Sequence, residues 1–224
     1  MTHSGERRPE EIKKDVYSQL VWDTRVNESD IDVEVSDGKV VLSGLVPTYP
    51  DLLEAEDDAY AVSGVRYVDN RLKVSYPPFS PTPGDAEIAA KVRSLLEWNP
   101  NIDATKIDIS VDCGQVSLKG AVESIWQKYN AERTIENVRG VMGVRNRLKV
   151  DPPRAVTDED IRTDILSSLV RNSFPDVNLV NVHVKDFVVT LSGTVHDYST
   201  CRLAEDIARY TNGVVEVNNN LVIA

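Results

Sequence analysis

The chain has 224 residues, 41% apolar and 27% charged, a balance that suits folded globular modules and not a disordered chain. Its net charge of −11 argues against a nucleic-acid binder, because phosphate contacts need clustered Lys and Arg. The opening residues hold no apolar signal-type stretch and no run approaches the ~18 apolar residues of a membrane span, so the chain reads as cytoplasmic with no transmembrane segment; a leader already cut away would leave the same text and place it in the periplasm.

From the N-terminus, Ile12, Val16 and Leu20 stand four residues apart, which predicts one buried face of a helix. Alternating runs around Asp37-Gly38 predict a β-hairpin whose turn uses glycine at positive φ. The run ends in Val41-Leu42-Ser43-Gly44, and Thr48 follows as a helix N-cap type. The next helix keeps Ala55 and Ala59 inward, and Gly64 ends it as a C′ residue. Then comes the phrase Gly64, Val65, Val68, Asn70, Leu72, which reads as a final strand.

All of this happens three times. Ile88, Val92 and Leu96 repeat the first helix, and Ile107–Val111 and Gln115–Leu118 repeat the hairpin around Cys113-Gly114. Gly120, Ser124, Ala131, Ile135 and Gly140 follow in register, with Val144, Asn146 and Leu148 closing the copy. Ile161, Ile165 and Leu169 open the third copy, where Thr157 and Asp160 supply the cap and an acidic first turn. Gly193, Asp197, Ala204, Ala208 and Gly213 then recur, with Val217, Asn219 and Leu221 last. The first glycines are 76 and 73 residues apart, too regular for chance. At the third hairpin Asp186-Phe187 replaces the glycine dipeptide, so a different turn is expected there.

Each copy is an α-β-β-α-β module, and the fold class is α+β: a three-stranded mixed sheet with two helices on one face. The modules span 9–76, 85–150 and 157–224, joined by proline-bearing linkers at 77–84 and 151–156, short and stiff by composition. The repeated glycines Gly44, Gly64, Gly120, Gly140, Gly193 and Gly213 are read as backbone devices and not as a binding loop. Asn70, Asn146 and Asn219 are read as local polar bonds to a neighbouring turn.

The element order, the Leu-Ser-Gly closing the hairpin and the Gly-Val-x-x-Val-x-Asn-x-Leu phrase resemble the BON domain, named for bacterial osmotically inducible and nodulation proteins. The resemblance covers nearly the whole chain in three copies. It implies a non-catalytic bacterial module, usually periplasmic or envelope-associated, that binds phospholipid surfaces or envelope components, often under osmotic stress. It implies no cofactor.

Candidate sites follow from charge and aromatic placement. Residues 9–76 carry net −8, residues 85–150 net +1 and residues 157–224 net −5, so only the middle module can approach anionic lipid without strong repulsion. Lys119, Trp126, Lys128, Tyr129, Arg133, Arg139 and Arg145 form the candidate lipid- or partner-binding set, with Arg147 and Lys149 continuing it. Trp126 and Tyr129 open the second helix of this copy only, a placement that suits a membrane interface or packing between modules. Trp22 and Trp98, at equivalent positions, are read as packing over the end of the first helix. Glu54, Glu56, Asp57 and Asp58 are read as a solvated helix face. His3, His183 and His196 share no metal-ligand spacing, and no acid, base and nucleophile converge, so neither a metal nor a catalytic site is assigned. Cys113 and Cys201 are read as free thiols, Cys201 lying close to His196 in sequence. Two functions compete: an adaptor touching anionic phospholipid or an envelope protein, and a cytoplasmic stress- or ion-responsive protein binding cations weakly through its acidic modules.

Overall fold

The structure is a computed structural model describing residues 7–76, 81–152, 156–172, 174–175 and 177–223, Val177 by its backbone alone. His3 and linker residues 77–80 and 153–155 lie outside the described residues. Module 1 contains α1 (Pro9–Trp22), β1 (Ile31–Ser36), β2 (Lys39–Val46), α2 (Tyr49–Ala61) and β3 (Tyr67–Val74). Module 2 contains α3 (Asp85–Trp98), β4 (Ile107–Asp112), β5 (Gln115–Val122), α4 (Ile125–Ile135) and β6 (Gly143–Val150). Module 3 contains α5 (Asp158–Arg171), β7 (Val180–Lys185), β8 (Val188–Val195), α6 (Tyr198–Arg209) and β9 (Glu216–Ile223). The backbone groups into two units: module 1 with residues 139–142, and the remainder of modules 2 and 3.

Each sheet is mixed, as the repeat implies. In module 1, β1 pairs antiparallel with β2 and β2 pairs parallel with β3. Modules 2 and 3 repeat this order, with β5 and β8 central. One face of each sheet buries the helices. In module 1, Ile12, Val16 and Leu20 of α1 and Ala55 and Ala59 of α2 join Val33, Val40, Leu42, Val68 and Leu72 in one core. The two alanines are fully buried, and their lack of bulk lets α2 lie close against the strands.

The helix ends obey local chemistry. Thr48, Ser124 and Asp197 accept bonds from the backbone N–H groups of Asp51, Gln127 and Thr200. Thr157 and Asp160 form a reciprocal capping box. The glycine that follows the hairpin has a single physical reason in every module. Gly44 has φ +121°, and a Cβ there would lie 1.9 Å from the carbonyl oxygen of Asp30. The corresponding approaches are 2.0 Å to Lys106 at Gly120 and 1.9 Å to Leu179 at Gly193. No side chain fits at that distance.

The third hairpin corrects one expectation. Asp186 and Phe187 have φ of 52° and 65°, the same left-handed pair as Asp37-Gly38 and Cys113-Gly114. The turn is unchanged, and Phe187 is forced into a conformation that suits glycine. The carboxylate of Asp158, at the start of α5, holds it there by accepting from the N–H groups of Asp186 and Phe187, both at 2.9 Å. Asp85 does the same for Cys113 and Gly114.

Candidate functional site

Side chains alternate across a strand, so the face of each sheet away from the helices carries every second residue. In module 2 this open face presents Ser117, Lys119 and Ala121 from β5 and Arg145, Arg147 and Lys149 from β6. Arg145, Arg147 and Lys149 follow one another at steps of about 6.7 Å, and Lys119 stands directly beside Arg147, one strand spacing of about 4.8 Å away. Lys119, Arg145, Arg147 and Lys149 are exposed. Among the described residues none of the four has an ion-pair partner. The carboxylates of the face, Asp108 and Asp112, stand on β4, across the central strand from β6.

The equivalent face of module 1 is built differently. Asp69 occupies the position of Arg145 in the repeat, and it pairs with Arg71 at 2.7 Å and with Lys39 at 3.1 Å. The hydrogen bonds from Arg71 and then Lys39 pull the Asp69 carboxyl down to about 2. Two of that face's cations are therefore engaged by one carboxylate within it. In module 3 the same position is Asn218, followed at the next outward positions by Asn220 and Val222. Among the described residues, only module 2 presents a run of cations without ion-pair partners on this face, with Asp108 beside Lys119 across the β4–β5 pairing.

The candidate set from the sequence divides across the module. Lys119 and Arg145 share the open face with Arg147 and Lys149. Trp126, Lys128, Tyr129 and Arg133 lie on α4, in the helix layer. Arg139 is exposed in the connection between α4 and β6. Lys128 contributes its backbone carbonyl to Asn146 Nδ2 at 2.7 Å. Trp126 is 38% exposed. Tyr129 and Ile125 face module 3: Ile125 belongs to that module's buried core, and the Arg209 guanidinium lies 4.2 Å from the centre of the Tyr129 ring. Burial against this neighbour pushes the Tyr129 phenol up.

The recurring asparagines bond to a helix and not to a turn. Asn70 Nδ2 donates to the Leu52 carbonyl at 2.9 Å and to Glu56 Oε2 at 3.1 Å, while its Oδ1 accepts from Leu72 N–H. Asn146 with Glu132 and Asn219 with Glu205 repeat the carboxylate contact at 3.2 and 3.1 Å. Glu56, Glu132 and Glu205 stand twelve residues after the first glycine in all three copies, a recurrence visible in the sequence but hidden among other acidic residues.

The acidic cluster is not a solvated face. Glu54 pairs with Arg25 at 2.7 Å, Glu56 is taken up by Asn70, and Asp58 is buried; only Asp57 is exposed. Trp22 and Trp98 do not pack over their helices either, being 75% and 84% exposed. Each lies two residues past the last buried leucine, about 200° around the helix, which turns it away from the core. Cys113 and Cys201 are free thiols. Burial pushes the Cys201 thiol up, the opposite of an activated nucleophile. Among the described residues no three His, Cys, Asp or Glu side chains converge to hold a metal ion, and no helix is long and apolar enough to cross a membrane.

The BON domain family model matches residues 10–76, 84–152 and 157–224. The chain belongs to the BON family. Its three BON modules account for the threefold architecture and for the recurring glycines. Osmotically-inducible protein Y of Escherichia coli (strain K12) is 33% identical over 143 residues, covering 61% of this chain and 71% of that protein. Among solved structures, CdsD of the type III secretion system of Chlamydia trachomatis aligns with a TM-score of 0.28 at 17% identity, covering 96% of this chain and 92% of that one. The PrgH periplasmic domain aligns with a TM-score of 0.22 at 11% identity, covering 87% of this chain and 95% of that one. Likenesses at these scores bear on neither the fold nor the function of the BON modules.

Proposed function

We propose that the chain is a non-catalytic bacterial binding protein that docks on anionic phospholipid surfaces through the open sheet face of its middle BON module. The observation that carries this reading is the stripe of Lys119, Arg145, Arg147 and Lys149. In module 1 Asp69 stands in place of the cation and pairs with two cations of the same face, and in module 3 asparagine replaces it. Each cation near an anionic membrane contributes about 1 kcal/mol, so four cations opposed by two carboxylates supply roughly 2–4 kcal/mol. The rest of a chain with net charge −11 is repelled, so binding is weak and salt-sensitive. The osmotic-stress context in the name of its Escherichia coli relative carries to this chain as part of the same reading.

Co-sedimentation with vesicles tests it. Phosphatidylglycerol vesicles are expected to pellet the full chain at low salt, and phosphatidylcholine vesicles are not. Arg145→Glu with Arg147→Glu abolishes the pelleting. Equal, negligible pelleting on both vesicle types removes the lipid reading and leaves an envelope protein as the partner class.

A further inference from the structure

The seam between α1 and α2 in module 1 carries a buried carboxylate that the other modules lack. Asp58 of α2 is 5% exposed. Its Oδ1 accepts from Gln19 Nε2 at 3.0 Å, while its Oδ2 is buried without a hydrogen-bond partner. At the repeat positions of Asp58 and Asp23, module 2 has Thr134 and Asn99. There the Asn99 amide donates to the Thr134 hydroxyl at 3.0 Å, and that hydroxyl donates to the Asn130 carbonyl. Module 3 has Ile207 and Asn172. A neutral seam is thus the common arrangement, and module 1 departs from it with two buried aspartates.

The surrounding charges compensate Asp58 only in part, through Arg25. Gln19 and Asp23 face it from α1 and its end, Arg25 from the segment that follows, and Glu54 and Asp57 from α2 itself. Arg25 is already engaged: its Nε lies 3.0 Å from both oxygens of Asp23, and its guanidinium reaches Glu54. An ionised Asp58 would therefore hold one bare oxygen in the interior beside a second carboxylate, an arrangement costly in low dielectric.

We infer that Asp58, with one buried oxygen unpartnered, takes up a proton in the folded module more readily than a free aspartate, making the α1–α2 seam of module 1 a pH-responsive element that tightens in acid. Burial pushes the Asp58 carboxyl above the ordinary carboxylate range; the Gln19 bond and the Arg25 charge oppose the rise, while Asp23 and Asp57 add to it. A folded pKa above the unfolded one gives stability that is complete below the unfolded value and is lost as pH rises through the folded value. A metal cation is a poorer occupant than a proton, because Arg25 already takes the oxygens of Asp23 and Glu54.

Hydrogen exchange on the full chain tests the inference, comparing Asp58→Asn with wild type at each pH so that intrinsic rates cancel. The amides of Val16, Leu20, Ala55 and Ala59 are expected to exchange more slowly in Asp58→Asn at neutral pH. The ratio should fall to unity as pH drops through the ordinary aspartate range. A ratio independent of pH, or faster exchange in the variant throughout, overturns it. A carboxyl-carbon NMR titration of the wild type avoids any question of the variant's folding: the Asp58 midpoint is expected above that of an aspartate in a free peptide. A midpoint at or below it overturns the inference, as does recovery of slow exchange at neutral pH on adding potassium, sodium or calcium chloride.

Discussion

The backbone N–H of Phe187 lies 2.9 Å from Oδ1 of Asp158, twenty-nine residues earlier at the start of α5. That contact holds a phenylalanine at φ +65°, where two sibling turns use glycine. The left-handed conformation costs a non-glycine residue about 1–2 kcal/mol, and glycine returns part of this through its unfolded-state freedom. Phe187→Gly is expected to stabilise module 3 by about 0.5–1 kcal/mol. Asp158→Ala, which strips both turn N–H groups of their acceptor, should destabilise it by about 1–2 kcal/mol. Denaturant melts of the two variants read both signs.

Gly120 is the reverse case, where no substitution is tolerated. An added Cβ meets the Lys106 carbonyl oxygen at 2.0 Å, and φ is +132°. Backbone blocks the space, so no side-chain rotation relieves the clash. Gly120→Ala is expected to cost at least about 3 kcal/mol, with the β4–β5 pairing lost first. Ser117→Ala, on the open face of the same strand, should change stability by less than about 0.5 kcal/mol and serves as the control.

Asp69 gives a prediction that couples charge to binding. Its folded pKa, about 2, lies below the ordinary value, so its contribution is present above ~4 and disappears as pH falls through the folded value. The stability gap between wild type and Asp69→Asn should therefore close on acidification. More telling is function: Asp69→Arg places at this position the residue that module 2 carries as Arg145, leaving Lys39, Arg71 and Lys73 opposed on that face by Asp32 and Glu34 of β1, as Asp108 and Asp112 of β4 oppose the cations of module 2. Under the lipid reading this variant gains affinity for phosphatidylglycerol vesicles at low salt. Unchanged pelleting would show that a cationic open face is not what binds.

The parts of the fold legible in the sequence are those that depend on neighbours in the chain. Thr48, Ser124 and Asp197 cap helices whose first turn follows at once, and the glycines answer to backbone conformation. The third turn is not legible locally, because Asp186-Phe187 lacks the glycine and its clamp, Asp158, is far away in the chain. An acidic run on a helix reads as solvent-facing, but Glu56 and Asp58 find their partners, Asn70 and Gln19, on other elements. The cationic site was half visible. Counting charge along the chain gathers Lys119 with Lys128, although strand alternation puts Lys119 on the face with Arg145 and Arg147, and α4 takes Lys128 to the other side. Period-two reading of β5 and β6 contains that division; net charge does not.

Tyr129 and Arg209 supply the last test, of whether modules 2 and 3 behave as one body. The guanidinium sits 4.2 Å from the ring centre and is ion-paired with Glu205, which also holds Asn219 of β9. A chain of contacts thus runs from α4 through α6 to the last strand, beside Ile125 in the core of module 3. A partly desolvated cation–π pair is worth about 0.5–2 kcal/mol. A double-mutant cycle with Tyr129→Leu and Arg209→Met, keeping bulk while removing ring and charge, should give a coupling energy of about 1 kcal/mol. Tyr129→Leu should also lower the hydrogen-exchange protection of α6 amides, although the substitution lies in module 2. Strict additivity, with α6 protection unchanged, would mean that the ring and the guanidinium are only neighbours and that the two modules unfold independently.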